Sequence, residues 1–195
     1  MLSDKVTELI EKSRIVSFNS WQSLYPAEVI EIFQRADDEK RYLSDEDIDC
    51  LVNLVPDLIA SLEQGKLLRD NVTEIVSQAR SEVLAAYPNI TKPGGDLYPP
   101  MRAEACWRDF WHFLRCITYG ISGQSLDYTS DLGLAYMEQL YQELNVPLNA
   151  MILGLEQLKF YSLQHFEGSQ VNNLAPYFDR LIGAMKRFSN DKNNK

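Results

Sequence analysis

The chain has 195 residues and a formal net charge of −9, and 45% of its residues are hydrophobic while 24% are charged. This length suits one well-buried domain, and the composition excludes a disordered or fibrous chain. The negative charge disfavours nucleic acid as a partner, and the lack of an apolar run of about 20 residues predicts no membrane insertion.

The spacing of apolar residues predicts an all-α chain. Apolar residues recur every three or four positions, while the alternation that is typical of strands is nearly absent. The first predicted helix covers residues 3–14, and its apolar side consists of Leu2, Val6, Leu9 and Ile10. A second helix is predicted to begin near Pro26, because proline suits the first helical position.

Ser44 predicts the start of the third helix. Three acidic residues at 45–47 follow it, and they favour the positive end of a helix. Pro56 should kink or break this helix, after which the pattern resumes as far as Gly65. Further helices are predicted over about residues 67–86, 101–123, 127–144, 147–165 and 171–188, with a frayed tail at 189–195. Seven or eight helices around one core form an arrangement like that of the globins.

A loop over residues 87–100 contains Pro93-Gly94-Gly95, which predicts a tight turn with a positive φ angle. The three cysteines of the chain, Cys50, Cys106 and Cys116, include no CxxC pair, so neither a disulfide framework nor a zinc site is expected. The N-terminal residues lack the apolar core of a signal peptide, and we therefore expect a cytoplasmic protein.

The helix after this loop contains the most unusual residues. At about 100° per residue, Arg102, Cys106, Asp109 and Phe113 share one face, where a thiol, a carboxylate and a guanidinium can meet one elongated ligand. Arg108 has a different azimuth, although its long side chain can reach the flank of such a ligand. By spacing alone, Cys106 would be an ordinary core thiol, since free cysteines are usually buried.

The segment "AEACWRDFWHFLRCITYGISG" resembles the chromophore-binding helix of phycobiliproteins. The resemblance extends over about residues 28–188. It includes "RADDEKRYLSDEDIDCL", the turn "KPGGDLY" and the C-terminal "YFDRLIGAM". It implies a globin-like helical domain at residues 28–195 with additional N-terminal helices, preceded by a helical extension at residues 1–27.

The resemblance also implies a covalently attached linear tetrapyrrole (bilin), similar to phycocyanobilin, and the residues that hold it. Cys106 would form a thioether to the ring-A side chain, and Asp109 would accept hydrogen bonds from the pyrrole nitrogens. Arg102 and Arg108 would bind the propionates. The aromatic walls would come from Trp107, Phe110 and Tyr119. No metal site and no enzymatic activity are expected.

Two features predict the type of subunit. Asn71 matches the asparagine that is methylated in β-type subunits, and no second bilin cysteine is present, as in allophycocyanin. The implied function is light harvesting and excitation transfer in or near the phycobilisome core. The implied partners are phycobiliprotein subunits, either an α-type partner or the chain itself, and linker proteins. The implied location is peripheral, at the stromal or cytoplasmic face of the thylakoid membrane.

Two departures from the family pattern support an alternative function. Typical members continue Arg-Asp with Leu-Asp-Tyr-Tyr, whereas this chain has Phe110-Trp111-His112-Phe113. Residues 1–27 also lie outside the pattern, and they are expected either to dock a different partner or to fold back as a cap. The alternative is a divergent paralogue that acts in regulation, assembly or turnover, with or without bound bilin.

Two further functions, haem binding and cysteine–histidine hydrolysis, are disfavoured. A haem globin would need His112 or His165 as its iron ligand, and each is more typical of a partly exposed or hydrogen-bonded histidine. Cysteine–histidine hydrolysis is disfavoured because Cys106 and His112 lie about 120° apart around their helix.

Overall fold

The computed structural model describes residues 3–188, and within them the chain is helical without a β-strand. The described part has nine α-helices and two short 3-10 turns at Asn19–Ser23 and Pro56–Leu58. The α-helices are α1 (Asp4–Lys12), α2 (Ala27–Asp38), α3 (Asp45–Leu54), α4 (Ile59–Asp70), α5 (Val72–Ala86), α6 (Pro100–Ser122), α7 (Asp131–Glu143), α8 (Leu148–Leu163) and α9 (Ser169–Lys186). The all-α prediction is confirmed, while Leu2 and the tail at 189–195 lie outside the described residues.

Local chemistry sets several helix boundaries as predicted. Ser44 caps α3 through a capping box in which its hydroxyl accepts from the Asp47 amide and the Asp47 carboxylate accepts from the Ser44 amide. Pro56 ends α3 and starts a 3-10 turn. By contrast α7 begins later than predicted, because Ser130 caps it and residues 124–130 form a loop.

The boundary predicted at Gly65 is wrong. Gly65 lies inside α4, where this helix packs against α6, and a Cβ at this position would overlap Oγ of Ser122. The glycine thus permits close approach of two helices rather than ending one. The boundary lies instead at Asn71, whose side-chain amide donates to the Leu67 carbonyl over 2.8 Å.

Helix α6 is the central element of the described fold. It packs against α4, α5, α8 and α9, and every residue from 113 to 122 is buried. Its N-terminal half is amphipathic, with exposed residues such as Met101 and Arg108 interspersed among buried ones. The residues of the predicted site other than Tyr119 lie in this half. No helix in residues 3–188 combines the length and the hydropathy that a membrane span requires.

The N-terminal segment, residues 3–25, folds back onto the other helices. Helix α1 packs on α7 with Val6 and Leu9 buried. Beyond it, the Ser17 amide donates to the Tyr128 carbonyl (3.0 Å), and the Ser130 amide donates to the Ile15 carbonyl (2.8 Å). The fully buried Trp21 then donates from Nε1 to the Asp127 carbonyl over 2.9 Å. The segment therefore contributes to the core of the domain.

Candidate functional site

The loop before α6 positions the site. Gly94 has φ 88°, so the tight turn predicted at residues 93–95 is confirmed. The Leu97 amide donates to the Ile90 carbonyl over 2.8 Å, which closes the loop, and Pro100 occupies the first turn of α6, where proline is tolerated. The loop therefore starts α6 six residues before Cys106.

Cys106 is a shielded thiol, with only 5% of the residue exposed. Burial and, to a smaller extent, the neighbouring Asp109 carboxylate raise the pKa of this thiol to about 12, against the opposing charge of Arg102. The sulfur is therefore protonated at neutral pH, and very little of it is present as the nucleophilic thiolate.

Asp109 lies one turn after Cys106, and burial raises the pKa of its carboxyl group to about 6. The Tyr141 phenol donates to Oδ2 over 3.2 Å, and this hydrogen bond and the charge of Arg108 limit the rise of the pKa to that value. The second oxygen, Oδ1, accepts no hydrogen bond from the described residues. A ligand that presents N–H groups or positive charge to Oδ1 would favour the ionised carboxylate.

The two predicted propionate residues have different environments. Arg102 donates from Nε to the Asp96 carbonyl (3.1 Å) and from Nη2 to the carbonyls of Leu144 (2.8 Å) and Asn145 (3.2 Å), which ties α6 to the end of α7. Only its Nη1 remains without a hydrogen-bond partner in residues 3–188. Arg108 is exposed and forms no ion pair with any described residue, so its whole guanidinium is available to an anion.

Trp107 is buried on the side of α6 that faces α5. The Arg80 guanidinium lies 5.3 Å from its ring, and the Phe110 ring lies 5.6 Å away. The indole Nε1 is buried but has no hydrogen-bond partner within residues 3–188. An unpaired buried donor is costly, so this atom would be stabilised by a carbonyl or carboxylate acceptor.

Tyr119 lies apart from the other predicted site residues. It follows Cys106 by thirteen positions, about 20 Å along α6, and packs against the rings of Phe18 and Phe33. Its hydroxyl accepts from Arg115 Nη1 over 2.7 Å and donates to the Arg41 carbonyl. The structure therefore groups Arg102, Cys106, Arg108 and Asp109, with Trp107 beside them, and places Tyr119 in a separate aromatic cluster.

Sequence reasoning did not assign Tyr141 and His112 to this site. Tyr141 lies on α7, and only its apolar spacing was visible, which indicates an ordinary core residue. His112 is half-buried, with its ring 4.9 Å from Trp111. Trp111 is held in turn by Tyr42, whose ring lies 4.8 Å away and whose hydroxyl donates to the Trp111 carbonyl over 3.1 Å.

The charges around His112 keep its imidazole neutral. Burial, followed by the cations Arg115, Arg108 and Lys40, lowers its pKa to about 4 against the opposing charge of Asp37. Within the described part of the chain, no three histidine, cysteine or acidic side chains are grouped as a metal site requires.

Comparison with known proteins shows the family. A model of the phycobilisome protein family matches residues 31–185. The chain is 31% identical to the allophycocyanin alpha chain of Galdieria sulphuraria over 151 residues, which are 77% of this chain and 94% of the relative. It is 30% identical to the allophycocyanin alpha chain of Thermosynechococcus vestitus over the same shares of both chains. It is also 30% identical to the allophycocyanin subunit alpha-B of Picosynechococcus over 157 residues, 80% of this chain and 98% of the relative. The chain therefore belongs to the phycobilisome protein family.

Proposed function

We propose that this protein is an allophycocyanin-like light-harvesting subunit that holds one linear tetrapyrrole on Cys106 and passes excitation energy onward. The observation that carries the proposal is the pairing of Cys106 with Asp109, one turn apart on α6, where Tyr141 occupies one carboxylate oxygen and leaves the other free. A thiol for attachment thus lies beside an acceptor for the pyrrole N–H groups.

Cys106 supplies the covalent bond. Its S–H would add across the carbon–carbon double bond of the ring-A side chain: sulfur would bond to one carbon and the other carbon would gain the proton, an addition that consumes no oxidant. Because burial raises the pKa of the thiol to about 12, the proton leaves sulfur slowly in the closed site. Attachment is therefore expected to need a base or a local opening around α6.

Asp109 supplies the charge that sets the colour. When bound, the tetrapyrrole absorbs visible light, and its protonated, cationic form absorbs red light most strongly. The Asp109 carboxylate stabilises a proton on the pyrrole nitrogens, because its pKa of about 6 leaves it mainly ionised at neutral pH and a nearby cation favours that ionised form further. Tyr141 keeps the carboxylate oriented while this occurs.

The remaining residues bind the periphery of the tetrapyrrole. Arg108 offers a free guanidinium fork to a propionate, and Arg102 offers its Nη1. Trp107 provides a rigid ring and an unpaired N–H beside Cys106. Tyr119 was proposed as an aromatic wall, but its contacts with Phe18 and Phe33 support a packing role instead.

The proposal extends to partners and location. We infer assembly with phycobiliprotein subunits, an α-type partner or a second copy, and with linker proteins, at the stromal or cytoplasmic face of the thylakoid membrane. The β-type assignment rests on Asn71 and stays a prediction. The three relatives named above are α chains, and capping of α4 is a sufficient structural role for Asn71.

Coexpression of the full chain with enzymes that synthesise phycocyanobilin tests attachment. The denatured protein should fluoresce with zinc on a gel, and Cys106→Ser should abolish that fluorescence. Cys50→Ser and Cys116→Ser are matched controls that should retain it. A bilin that stays attached in the Cys106→Ser variant would overturn the assignment of the site.

The N-terminal segment favours one second candidate, a paralogue that acts in assembly, storage or turnover. Residues 3–25 cover α7 and the loop at 124–130, a surface that would otherwise be open to another protein. Gel filtration of the bilin-bound full chain with allophycocyanin subunits separates the two functions. Co-elution with excitation transfer supports the antenna subunit, and a monomer without transfer supports the second candidate.

A further inference from the structure

In azimuth around α6, His112 lies between Asp109 and Arg108, two residues of the proposed tetrapyrrole site. Cys106, Asp109 and His112 occupy successive positions of an i, i+3 row along α6, and each step turns by about 60°. Arg108 lies one turn before His112, at i−4, which differs by only about 40° in azimuth. Cys106 and Asp109 lie on one side of α6 and Arg108 lies on another. His112 occupies the surface between these two sides.

The surroundings of His112 are positively charged and not neutralised. Arg108 and Lys40 are exposed, and neither forms an ion pair within residues 3–188, although the chain has 28 acidic residues against 19 basic ones. Lys40 is held in the turn after α2 by a positive φ of 54°. Arg115, in contrast, is paired with Asp37 over 2.8 Å. Two unpaired cations, Arg108 and Lys40, thus act on the imidazole.

The imidazole itself is fixed but has free hydrogen-bonding atoms. Its ring lies edge-on to Trp111, which Tyr42 holds in place. Neither ring nitrogen bonds to another residue within 3–188. The four charged groups that act on it are Arg115 and Arg108 from α6, Lys40 from the turn after α2, and Asp37 from α2. Three of these four are cations, so an anion is the ligand that this position favours.

We propose that His112 and Arg108 together bind one propionate carboxylate of the tetrapyrrole attached at Cys106. The neutral imidazole donates one N–H to the carboxylate, and the guanidinium donates from its fork. This inference rests on the proposed function and adds a residue that positions the ligand. It also gives a reason for the histidine in the Phe110–Phe113 segment, at a position where typical family members have tyrosine.

The inference has a measurable consequence for His112. Its pKa is held at about 4 by burial and by the cations around it. A carboxylate at this position makes protonation of the imidazole less unfavourable, because an opposite charge nearby stabilises the protonated form. We expect the pKa of His112 to rise by at least one unit when the tetrapyrrole binds, which is a tenfold gain in proton affinity.

The experiment is a pH titration of the two histidine side chains by NMR in the full-length ¹⁵N-labelled protein. The apo chain is compared with the phycocyanobilin adduct and with an adduct of phycocyanobilin dimethyl ester, whose propionates carry no charge. His112→Gln assigns the His112 signal, and the matched His165→Gln assigns the other histidine. Zinc fluorescence on a denaturing gel reports attachment separately.

A pKa rise at His112 with the free acid, but not with the ester, supports the proposal. A rise with both ligands, or with neither, overturns it while the attached bilin leaves the proposed function standing. Absence of attached bilin from wild-type protein overturns the proposed function, and this inference fails with it.

Discussion

Tyr141 donates a hydrogen bond from its phenol to Oδ2 of Asp109 over 3.2 Å, which joins α7 to the N-terminal half of α6. Burial raises the pKa of Tyr141 well above its usual value and raises that of Asp109 to about 6. The phenol is therefore a permanent donor at physiological pH. The Asp109 carboxyl group, by contrast, is mainly ionised at neutral pH and takes up a proton as the pH falls through about 6.

Asp109→Asn is expected to flatten the pH dependence of stability between pH 4 and pH 6. The pKa of Asp109 is about 6 in the folded apo protein and about 4 in an unfolded chain. The folded state therefore binds more protons than the unfolded chain in this window. The contribution of Asp109 to the free energy of unfolding is thus present below pH 4 and is lost as the pH rises through 6. The free energy of unfolding of the variant, relative to wild type, should rise by up to about 3 kcal/mol from pH 4 to pH 7.

Urea denaturation at several pH values measures this difference in the apo protein. Tyr141→Phe provides the complementary variant, because loss of the hydrogen bond should raise the Asp109 pKa and move the window to higher pH. If wild type and Asp109→Asn show parallel pH profiles, Asp109 does not titrate as we expect.

Helix boundaries that depend on local chemistry could be predicted from the sequence. The Ser44 cap, the break at Pro56 and the turn at Gly94 all follow from the conformational preferences of single residues. Gly65 could not be interpreted in this way. Its role depends on Ser122, which lies 57 positions later in the chain. At this position the glycine allows two helices to meet and does not end a helix.

The candidate site shows the same division. Helical spacing placed Arg102, Cys106 and Asp109 on one face of α6, because all three belong to one element. The partner of Asp109 could not be found by that argument, since Tyr141 reaches it from α7. Likewise Tyr119 was assigned to the site although it packs with Phe18, a contact that depends on how the N-terminal segment folds back.

Asp37→Asn is expected to destabilise the fold strongly. Asp37 is buried and accepts from Arg115 Nη1 over 2.8 Å and from Arg14 Nη2 over 2.5 Å. Removal of its charge leaves the buried Arg115 guanidinium without a counter-ion, a change that typically costs about 3–5 kcal/mol. The loss should appear in urea denaturation at pH 7.

Asp38→Asn is the matched control for this substitution. Asp38 also pairs with Arg14, over 2.6 Å, but its side chain is half-exposed. An exposed pair contributes about 1 kcal/mol or less. Similar losses in both variants would mean that the Arg115–Asp37 pair is not isolated from solvent.

The three cysteines are expected to differ in reactivity in the apo protein. Cys50 is exposed, whereas Cys106 and Cys116 are buried, and burial raises the pKa of each of these two thiols to about 12. An aromatic disulfide reagent at pH 8 should label one thiol per native chain rapidly and all three after unfolding. Cys50→Ser should remove the rapid phase, and Cys116→Ser should retain it. Rapid labelling of a second thiol in wild type would contradict the burial of Cys106 or of Cys116.

Gly133→Ala is expected to release the N-terminal segment from α7. Gly133 lies in the first turn of α7, and a Cβ there would overlap the carbonyl oxygen of Arg14 and approach the Ile15 amide nitrogen to 3.1 Å. Because both neighbours are backbone atoms, they cannot rotate away as a side chain can. Relief of the clash must therefore move the segment itself, with a loss of stability of about 1–3 kcal/mol.

Hydrogen exchange locates the effect of this substitution. The amides of Ser17 and Ser130 join the segment to the loop before α7, so both should exchange at least tenfold faster in Gly133→Ala. Gly183→Ala in α9 is the matched control, since its Cβ would meet nothing closer than Arg187 Nη1 at 3.9 Å. That control should gain about 0.5–1 kcal/mol, because alanine is favoured over glycine inside a helix. Wild-type exchange at Ser17 and Ser130 in Gly133→Ala would show that the segment is not held against α7 at this point.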